Sequence, residues 1–487
     1  MKGHVLTPTP VASTMVGRLF KSQPPRKGDQ VLDPGCGEGT FIASVIEYCQ
    51  RRSLPIPDII GVELDSALAA QARRRFAGER QVKILQGDFL VTPLSQFRYI
   101  IGNPPYVPIT GLSVEERRRY RSIFASAVER FDLYSLFFER ALFLLAPGGR
   151  LCLITPEKFQ YVHSATPLRR ILAAFTVESL VHLDEDTFPG LVTYPTVTTV
   201  LNQSPRPSSR TLVVFRDGSR RSVALPADGA SWASSLNPVT KASDSSVELQ
   251  KLCLRISCGI ATGADGLYVF PNDQIPPTLE SFAHPTVSGR QLGLDGPTEI
   301  KTTSSMLVPY DRRGRLLPPS KMGDFLTFVS RPDVSRRLRT RTCVRTDSRE
   351  WYRFHDNVPL EEILRPKILC KDIASEPHFW ADADGRIVPR HTVYYIVPKP
   401  AVDSQALLEY LNSETASAWL RANCQRAANG FYRLQSATLK RLPAPVDLVR
   451  PSPPLGGSPA VKKSERTRPR ASQRQVLLTA FEREVAA

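Results

Sequence analysis

Four short apolar strands, separated by helical or turn segments and each ending in a glycine or an acidic residue, constrain this chain most. Gln30-Val31-Leu32 reads as the first strand and residues 39–52 as a helix behind it. Ile59 to Glu63 is the second strand, followed by an Ala/Arg-rich helix over 66–76. Val82 to Leu85 and Tyr99 to Ile101 are two more, and an amphipathic helix over 132–145 leads through Pro147-Gly148-Gly149 into a strand at Arg150 to Ile154. Strands that alternate with helices predict a doubly wound, mostly parallel Rossmann-like α/β sheet. Residues 177–183 and 196–201 read as its far edge, and within residues 1–20 the pattern Val11, Met15, Val16, Leu19 reads as a helix capped by Thr9 with Pro10 in its first turn.

From about 202 to 250 the composition turns to Ser, Pro, Asp and Arg, with some β structure at Thr211 to Phe215. Residues 251–447 carry short β-like runs, few strong helices, and many Arg and aromatic residues. We therefore expect a catalytic domain over 1–245, a mixed α+β domain over 246–447, and a basic Pro/Ser/Gly-rich tail without fixed structure over 448–487. A chain of 487 residues has room for two or three domains. No apolar run approaches the ~18–20 residues a membrane span requires. The opening MKGHVLTPTP has no signal-peptide core, so a cytoplasmic location is expected. The eight cysteines form no CxxC pair and no zinc spacing, which favours reduced structural thiols and no metal. The net charge of +17 is large for an enzyme of small anions and is what a polyphosphate partner would select. A generally Arg-rich composition would give the same excess.

The strand tips carry the chemistry. Asp33-Pro34-Gly35-Cys36-Gly37-Glu38-Gly39 joins a strand to a helix, with glycines that let a ligand approach the backbone. Its spacing is neither GxGxxG nor Walker A, which argues against a dinucleotide and against nucleoside triphosphate hydrolysis. Asp33 suits the ammonium of an amino-acid moiety. Glu63 suits a pair of ribose hydroxyls. Asp88 can accept from an adenine amino group beside the apolar edge of Phe89. Any one of these acids alone reads as a cap or loop charge; three at successive strand ends are harder to dismiss, because such sheets bind ligands there. The fourth tip is Asn103-Pro104-Pro105-Tyr106. Neither proline has an N–H, and each disfavours helix in the residue before it, so the turn is stiff. Asn103 and the Pro104 carbonyl form a rigid acceptor pair beside a flat ring, suited to a planar –NH2 group.

These blocks together, VLDPGCGEGTF, VELD, GDF and NPPY, resemble the S-adenosylmethionine-dependent N6-adenine DNA methyltransferases. LTPTPVASTMV before the Gly-rich loop is similar to the segment that lines the methionine pocket in the gamma group, and the order of blocks is that of the stand-alone restriction-modification enzymes. The likeness is strong over 5–201 and looser beyond, through Gly259 to Asp265 and Arg365 to Leu369. It implies S-adenosyl-L-methionine as cofactor, held by Thr7, Asp33, Pro34, Gly35, Gly37, Glu63, Asp88, Phe89 and Phe137. It implies catalysis by Asn103, Pro104, Pro105 and Tyr106, with Tyr106 and the loop residue Phe188 against a flipped adenine. It further implies double-stranded DNA as substrate, a monomeric enzyme, and a separate restriction endonuclease that acts on the same site.

Adenine N6 is a poor nucleophile because its lone pair is delocalised into the ring. Two acceptors on its N–H bonds would localise that pair, and a base inside a duplex must be flipped to reach them. The arginines at 117, 118, 119, 121 and 130 follow NPPY. They read as a solvated loop or as phosphate contacts. Arg331 to Arg349 with Trp351 and Phe354 could line a DNA cleft or, equally, build a core. Another NPPY methyltransferase, acting on an RNA base or a protein glutamine, shares the acceptor geometry but usually lacks a basic C-terminal region of this size. A DNA-binding protein on a degenerate methylase fold ranks last, since the site looks complete. A type I modification subunit would carry a long helical domain before the Gly loop, and no nuclease signature is evident.

Overall fold

The computed structural model describes residues 5–191, 193–236, 245–293, 299–341, 343–344 and 350–449. Nearly all of the basic tail (450–487) and Arg345 to Arg349 lie outside them. The chain divides into two compact units, Met1–Val239 with Gln425–Gly430, and Thr240–Cys424 with Phe431–Ala487. Among the described residues no helix is long and apolar enough to cross a membrane.

The first unit follows the α/β expectation closely. Its elements are α1 (Thr9–Leu19), β1 (Gln30–Asp33), α2 (Thr40–Arg51), β2 (Asp58–Glu63), α3 (Ser66–Arg75), β3 (Val82–Gln86) and β4 (Phe97–Gly102). After them come α4 (Val114–Ile123), α5 (Leu133–Phe143), β5 (Leu145–Pro156), α6 (Thr166–Leu172), β6 (Thr176–His182), β7 (Pro195–Leu201), β8 (Thr211–Val214) and β9 (Arg220–Val223). One nine-stranded sheet takes the order β3-β2-β1-β4-β5-β7-β6-β8-β9. The first five strands in that order are parallel, and β7 is antiparallel to both β5 and β6.

Side chains alternate across the sheet and feed two cores. Val31, Ile59, Tyr99, Ile101, Cys152 and Val197 meet Ala12, Met15, Val16 and Leu19 of α1 and Phe41, Ile42 and Val45 of α2. Their neighbours Leu32, Val62, Ile100, Leu151, Leu153 and Val200 meet Leu136, Phe138 and Ala141 of α5 and Leu168 and Leu172 of α6. With both faces covered, the strand ends are left as the place for a ligand.

Three expectations change. The sheet does not end at 196–201: β7 is internal, and the β8–β9 hairpin extends it. Residues 114–123 form a helix, because Ser113 accepts from the Glu116 amide while Glu116 accepts from the Ser113 amide, a capping box. Thr9 is the first residue of α1 and gives it no side-chain cap; Pro8 precedes it.

The second unit is mixed α+β. One four-stranded sheet orders Cys253–Cys258, Val393–Pro398, Lys367–Lys371 and Phe379–Asp382; another orders Val269–Pro271, Ser304–Leu307, Ala283–Val287 and Val388–Pro389. Helices at Gly323–Ser330, Pro332–Arg339, Ser404–Leu411 and Glu414–Asn423 give it more helix than the sequence suggested. Trp351 and Phe354 are core residues here, packed with Tyr268, Tyr310 and Phe325. The Arg341 guanidinium donates to the carbonyls of Thr262, Trp351 and Arg353, so it braces that core. Val334 and Leu338 of Pro332–Arg339 are buried while Arg336, Arg337 and Arg339 are exposed, which leaves an arginine face outward.

Gly39 starts α2 in the left-handed region (φ 84°), and a Cβ there would lie 2.3 Å from the Phe76 ring. Gly39→Ala therefore faces both a strained backbone and a clash. We expect a loss of about 2 kcal/mol, read as a lower urea midpoint of the full chain; an unchanged midpoint would mean that the loop relaxes away from Phe76.

Candidate active site

A cavity of about 480 Å³ opens at the carboxyl ends of β1 to β4. Its wall includes Thr7, Pro34, Gly35, Gly37, Glu63, Asp88, Phe89, Asn103, Pro105 and Phe137. Most of the residues singled out at the strand tips are thus brought to one space. Pro104 and Tyr106 are not on that wall, and neither is Asp33. Asp33 is fully buried behind the wall at the β1–β4 seam, where a Cβ on Gly102 would lie 3.0 Å from its Oδ1. Its carboxylate oxygens make no well-formed hydrogen bond; the Gly35 amide lies close enough to offset part of the cost of burial. Burial pushes the Asp33 carboxyl up to about 8, and the nearby Glu63 carboxylate adds to the rise.

Asn103 is the most tightly specified side chain. Its Nδ2 donates to the Val5 carbonyl (3.2 Å) and to Thr7 Oγ1 (3.1 Å). Both amide hydrogens are thereby used, and Oδ1 is left buried with no partner. An orphan acceptor of this kind is costly unless a ligand supplies a donor. Tyr106, two residues beyond the Pro104 turn, donates from its hydroxyl to the Ile154 carbonyl (3.3 Å). Its ring lies edge-on to Phe188 (6.1 Å) and Tyr134 (6.5 Å). Phe188 itself is 2% exposed, so it supports Tyr106 from within the core and presents little free surface.

The remaining carboxylates are already tied to the backbone. Glu63 accepts from the Gly37 amide through Oε2 and from the Asp65 amide through Oε1, both at 2.8 Å. It fastens the Gly-rich loop to β2, with lone pairs left for ribose hydroxyls. Asp88 accepts from the Leu90 amide (2.9 Å) and from the Tyr120 hydroxyl (3.2 Å). Phe89 and Phe137 lie with ring centroids 5.0 Å apart beside it. Gly35 lies near the Phe137 ring and the Asn103 carbonyl, where a Cβ would stand 3.8 Å and 4.0 Å from them. The donor and acceptor set fits S-adenosyl-L-methionine: an apolar slot with a carboxylate, a second carboxylate for a diol, and a buried negative or proton-bearing group near the cationic end.

The Eco57I restriction-modification methylase family matches residues 62–188, and the TaqI-like C-terminal specificity domain matches 332–444. The type II methyltransferase M.XhoI of Xanthomonas vasicola is 25% identical over 468 residues, covering 88% of this chain and 83% of its own length. M.PaeR7I of Pseudomonas aeruginosa is 27% identical over 399 residues, covering 74% and 67%. Along most of its length the chain is thus similar to methyltransferases of restriction-modification type. Its cofactor is S-adenosyl-L-methionine. The solved structure of the type IIL restriction-modification enzyme MmeI in complex with DNA superposes over 89% of this chain and 64% of its own, with a TM-score of 0.61 at 13% identity, and so shares the fold.

Two features of this chain escaped the sequence reading. Leu112, Glu116 and Tyr120 form the side of the cavity that faces Asp88 and Phe89. The Ser113-x-x-Glu116 signature could have announced the helix that carries the last two. Residues 425–430 also belong to the first unit. The Tyr194 hydroxyl donates to the Ala427 carbonyl (3.0 Å) and accepts from the Gly430 amide (2.7 Å), and the Asn429 amide donates to Glu185 (3.2 Å) in the loop that carries Phe188. No local pattern signals such a return.

Asp33 sets a pH dependence. Burial lets the folded state keep its proton up to about pH 8, whereas the unfolded chain releases it near 3.8, the ordinary value for an aspartate. The folded state then binds more protons, so its stability falls as pH rises across that window. We expect the melting temperature of the cofactor-free chain to drop between pH 5 and pH 8, with Asp33→Asn flattening the drop. Parallel slopes for the two proteins would remove Asp33 as its source.

Proposed function

We propose that this chain is a site-specific DNA methyltransferase that moves a methyl group from S-adenosyl-L-methionine to N6 of an adenine flipped out of duplex DNA. The observation that carries this reading is Asn103, whose amide hydrogens are consumed by Val5 and Thr7 and whose Oδ1 waits unpaired on the cavity wall. When bound, the cofactor would supply an electrophilic methyl on sulfonium; the sulfur–methyl bond breaks as the N6–methyl bond forms, and one N6 proton is released to solvent. Everything else is positioning by the chain.

Asn103 Oδ1 and the Pro104 carbonyl accept the two N6–H bonds. That shifts electron density onto nitrogen and aims its lone pair. Because the acceptors are fixed before the base arrives, little reorganisation is left for the transition state. Tyr106 offers its face to the base, held upright by the bond to Ile154 and by Phe188 behind it. An aromatic face also favours the positive charge on the transferring methyl. Thr7 acts by holding Asn103. Glu63 takes the ribose, and Asp88 with Phe89 and Phe137 takes the cofactor's adenine. The second unit, with its outward arginine face on Pro332–Arg339, supplies DNA recognition. A partner endonuclease of the same specificity would complete the system.

The acceptor geometry alone would also serve an RNA base or a protein glutamine. The match of 332–444 to a specificity domain of restriction-modification enzymes favours DNA. Incubation of the chain with labelled cofactor and, separately, duplex DNA, RNA and bulk protein decides this; label in RNA or protein but not DNA would overturn the reading. Long-read sequencing of DNA from an expressing host would place the modified base and give the recognition sequence.

Asn103→Ala should lower kcat by at least about 10²–10³-fold, as the loss of a preorganised electrostatic partner does. Its cofactor dissociation constant should change far less than kcat. Retained turnover would sink the acceptor role. Glu63→Ala should raise the cofactor dissociation constant by roughly tenfold or more, since both diol bonds and the anchor on Gly37 are lost.

A further inference from the structure

The segment after NPPY is a cap with a two-point hinge. The Ile109 amide donates to the Phe131 carbonyl (3.1 Å) and the Leu133 amide donates to the Val107 carbonyl (2.9 Å). Residues 110–130 are thus an excursion that leaves and rejoins the body at one place, directly beside the catalytic turn. Leu112, Phe124 and Ala127 pack it into the core, Glu129 meets His163, and two sets of polar contacts close it over the body. Glu139 of α5 accepts from the amides of Ala125 and Ser126 and from the Ser126 hydroxyl, at 2.6–2.9 Å. On the cavity side, Tyr120 of α4 donates to Asp88 Oδ2.

Helix α4 has two chemically distinct sides. Tyr120 is buried and Glu116 half-buried, and both line the cavity. Arg118, Arg119 and Arg121 are exposed. Alternation of this kind on one short helix, with a single hydroxyl on a carboxylate inside and a cationic stripe outside, suits an element that touches a small polar ligand on one side and a polyanion on the other.

We propose that α4 is a closing cap in which Tyr120, by holding Asp88, positions the cofactor's nucleoside, and whose outward arginines contact the DNA backbone and so tie cofactor retention to bound DNA. Tyr120 acts through Asp88: it fixes the rotamer of the carboxylate that receives the adenine amino group. DNA that grips the arginine stripe adds binding free energy to the closed form, and closure slows escape of the cofactor. The inference rests on the DNA methyltransferase reading above.

The test uses the full chain and labelled S-adenosylhomocysteine, the demethylated product, so that no turnover intervenes. Tyr120→Phe keeps the ring in the core and removes only the hydroxyl. It should raise the dissociation constant of this ligand about tenfold and raise the cofactor KM in step. The same change should add nothing further in an Asp88→Asn background. An unchanged dissociation constant, or an undiminished effect of Tyr120→Phe without the Asp88 carboxylate, overturns the latch.

For the outer side, a 30-bp duplex of arbitrary sequence is bound at several salt concentrations. Arg118→Gln with Arg119→Gln should lower the slope of log affinity against log salt by about 2. The duplex should slow ligand release from the wild-type chain and no longer do so from this variant. A wild-type slope in the variant, or release that ignores DNA in both, overturns the tie to DNA. Methyl transfer by the wild-type chain to RNA or protein instead of DNA defeats the functional reading itself, while the Tyr120 measurements still decide the latch.

Discussion

The two hydrogen bonds from Asn103 Nδ2 to Val5 and Thr7 are what the site depends on. They cross about a hundred residues of sequence and join the segment before α1 to the tip of β4. An asparagine side chain is symmetric enough in shape to present either its oxygen or its nitrogen. With both hydrogens engaged, only the oxygen can face the ligand. The stiff Pro-Pro turn sets where the acceptor stands, and the 5–7 segment sets which atom it shows. Stiffness without that orientation would present a donor to a donor.

The same division of labour recurs at the other strand tips. Glu63 and Asp88 each use part of their acceptor capacity on the protein itself, Glu63 on Gly37 and Asp65, Asp88 on Leu90 and Tyr120. A carboxylate held this way enters the reaction with its rotamer already chosen, and the entropy of ordering it is met during folding. Asp33 differs. It is fully buried with only the Gly35 amide to offset that burial, so a cation nearby would draw its titration back down. The site thus holds two carboxylates tied to the backbone and one deeply buried carboxyl whose titration would respond to charge.

How much of this was legible follows from what local sequence can encode. The alternation of apolar strands and amphipathic helices located the strands from β1 to β7 and the helices α2, α3 and α5, though not α4 or α6, because burial on two faces demands that pattern. The residues at the strand tips were legible for the same reason, since topology sends all parallel strand ends to one side. Partners were not. That Thr7 would meet Asn103, that Tyr120 would meet Asp88, or that Gly102 would seal Asp33 behind the wall depends on packing between segments far apart in the chain. Phe188 shows the limit of resemblance. Its motif placed it beside Tyr106 correctly, yet its burial makes it a support for that ring before it can be a surface for a base. The arginines after NPPY masked a helix because their charge drew attention from the Ser113–Glu116 box beneath them.

The return of residues 425–430 to the first unit has a consequence for how catalysis and specificity are joined in one chain. A cut near 240 would not liberate a complete catalytic unit. It would strip Tyr194 of its bonds to Ala427 and Gly430, and Glu185 of the Asn429 amide. Those contacts hold the loop that ends in Phe188, and Phe188 in turn supports Tyr106. Asn429 sits in the left-handed region (φ 58°), with Gly430 after it at φ 74°, so the turn itself is specialised. Part of the support for the Phe188 loop therefore lies some 235 residues downstream of it in sequence, beyond most of the second unit. The second unit cannot be exchanged as a simple C-terminal cassette unless 425–430 travels or is kept with the catalytic half. A functional graft would have to preserve that short turn even where every other residue of the specificity region changes.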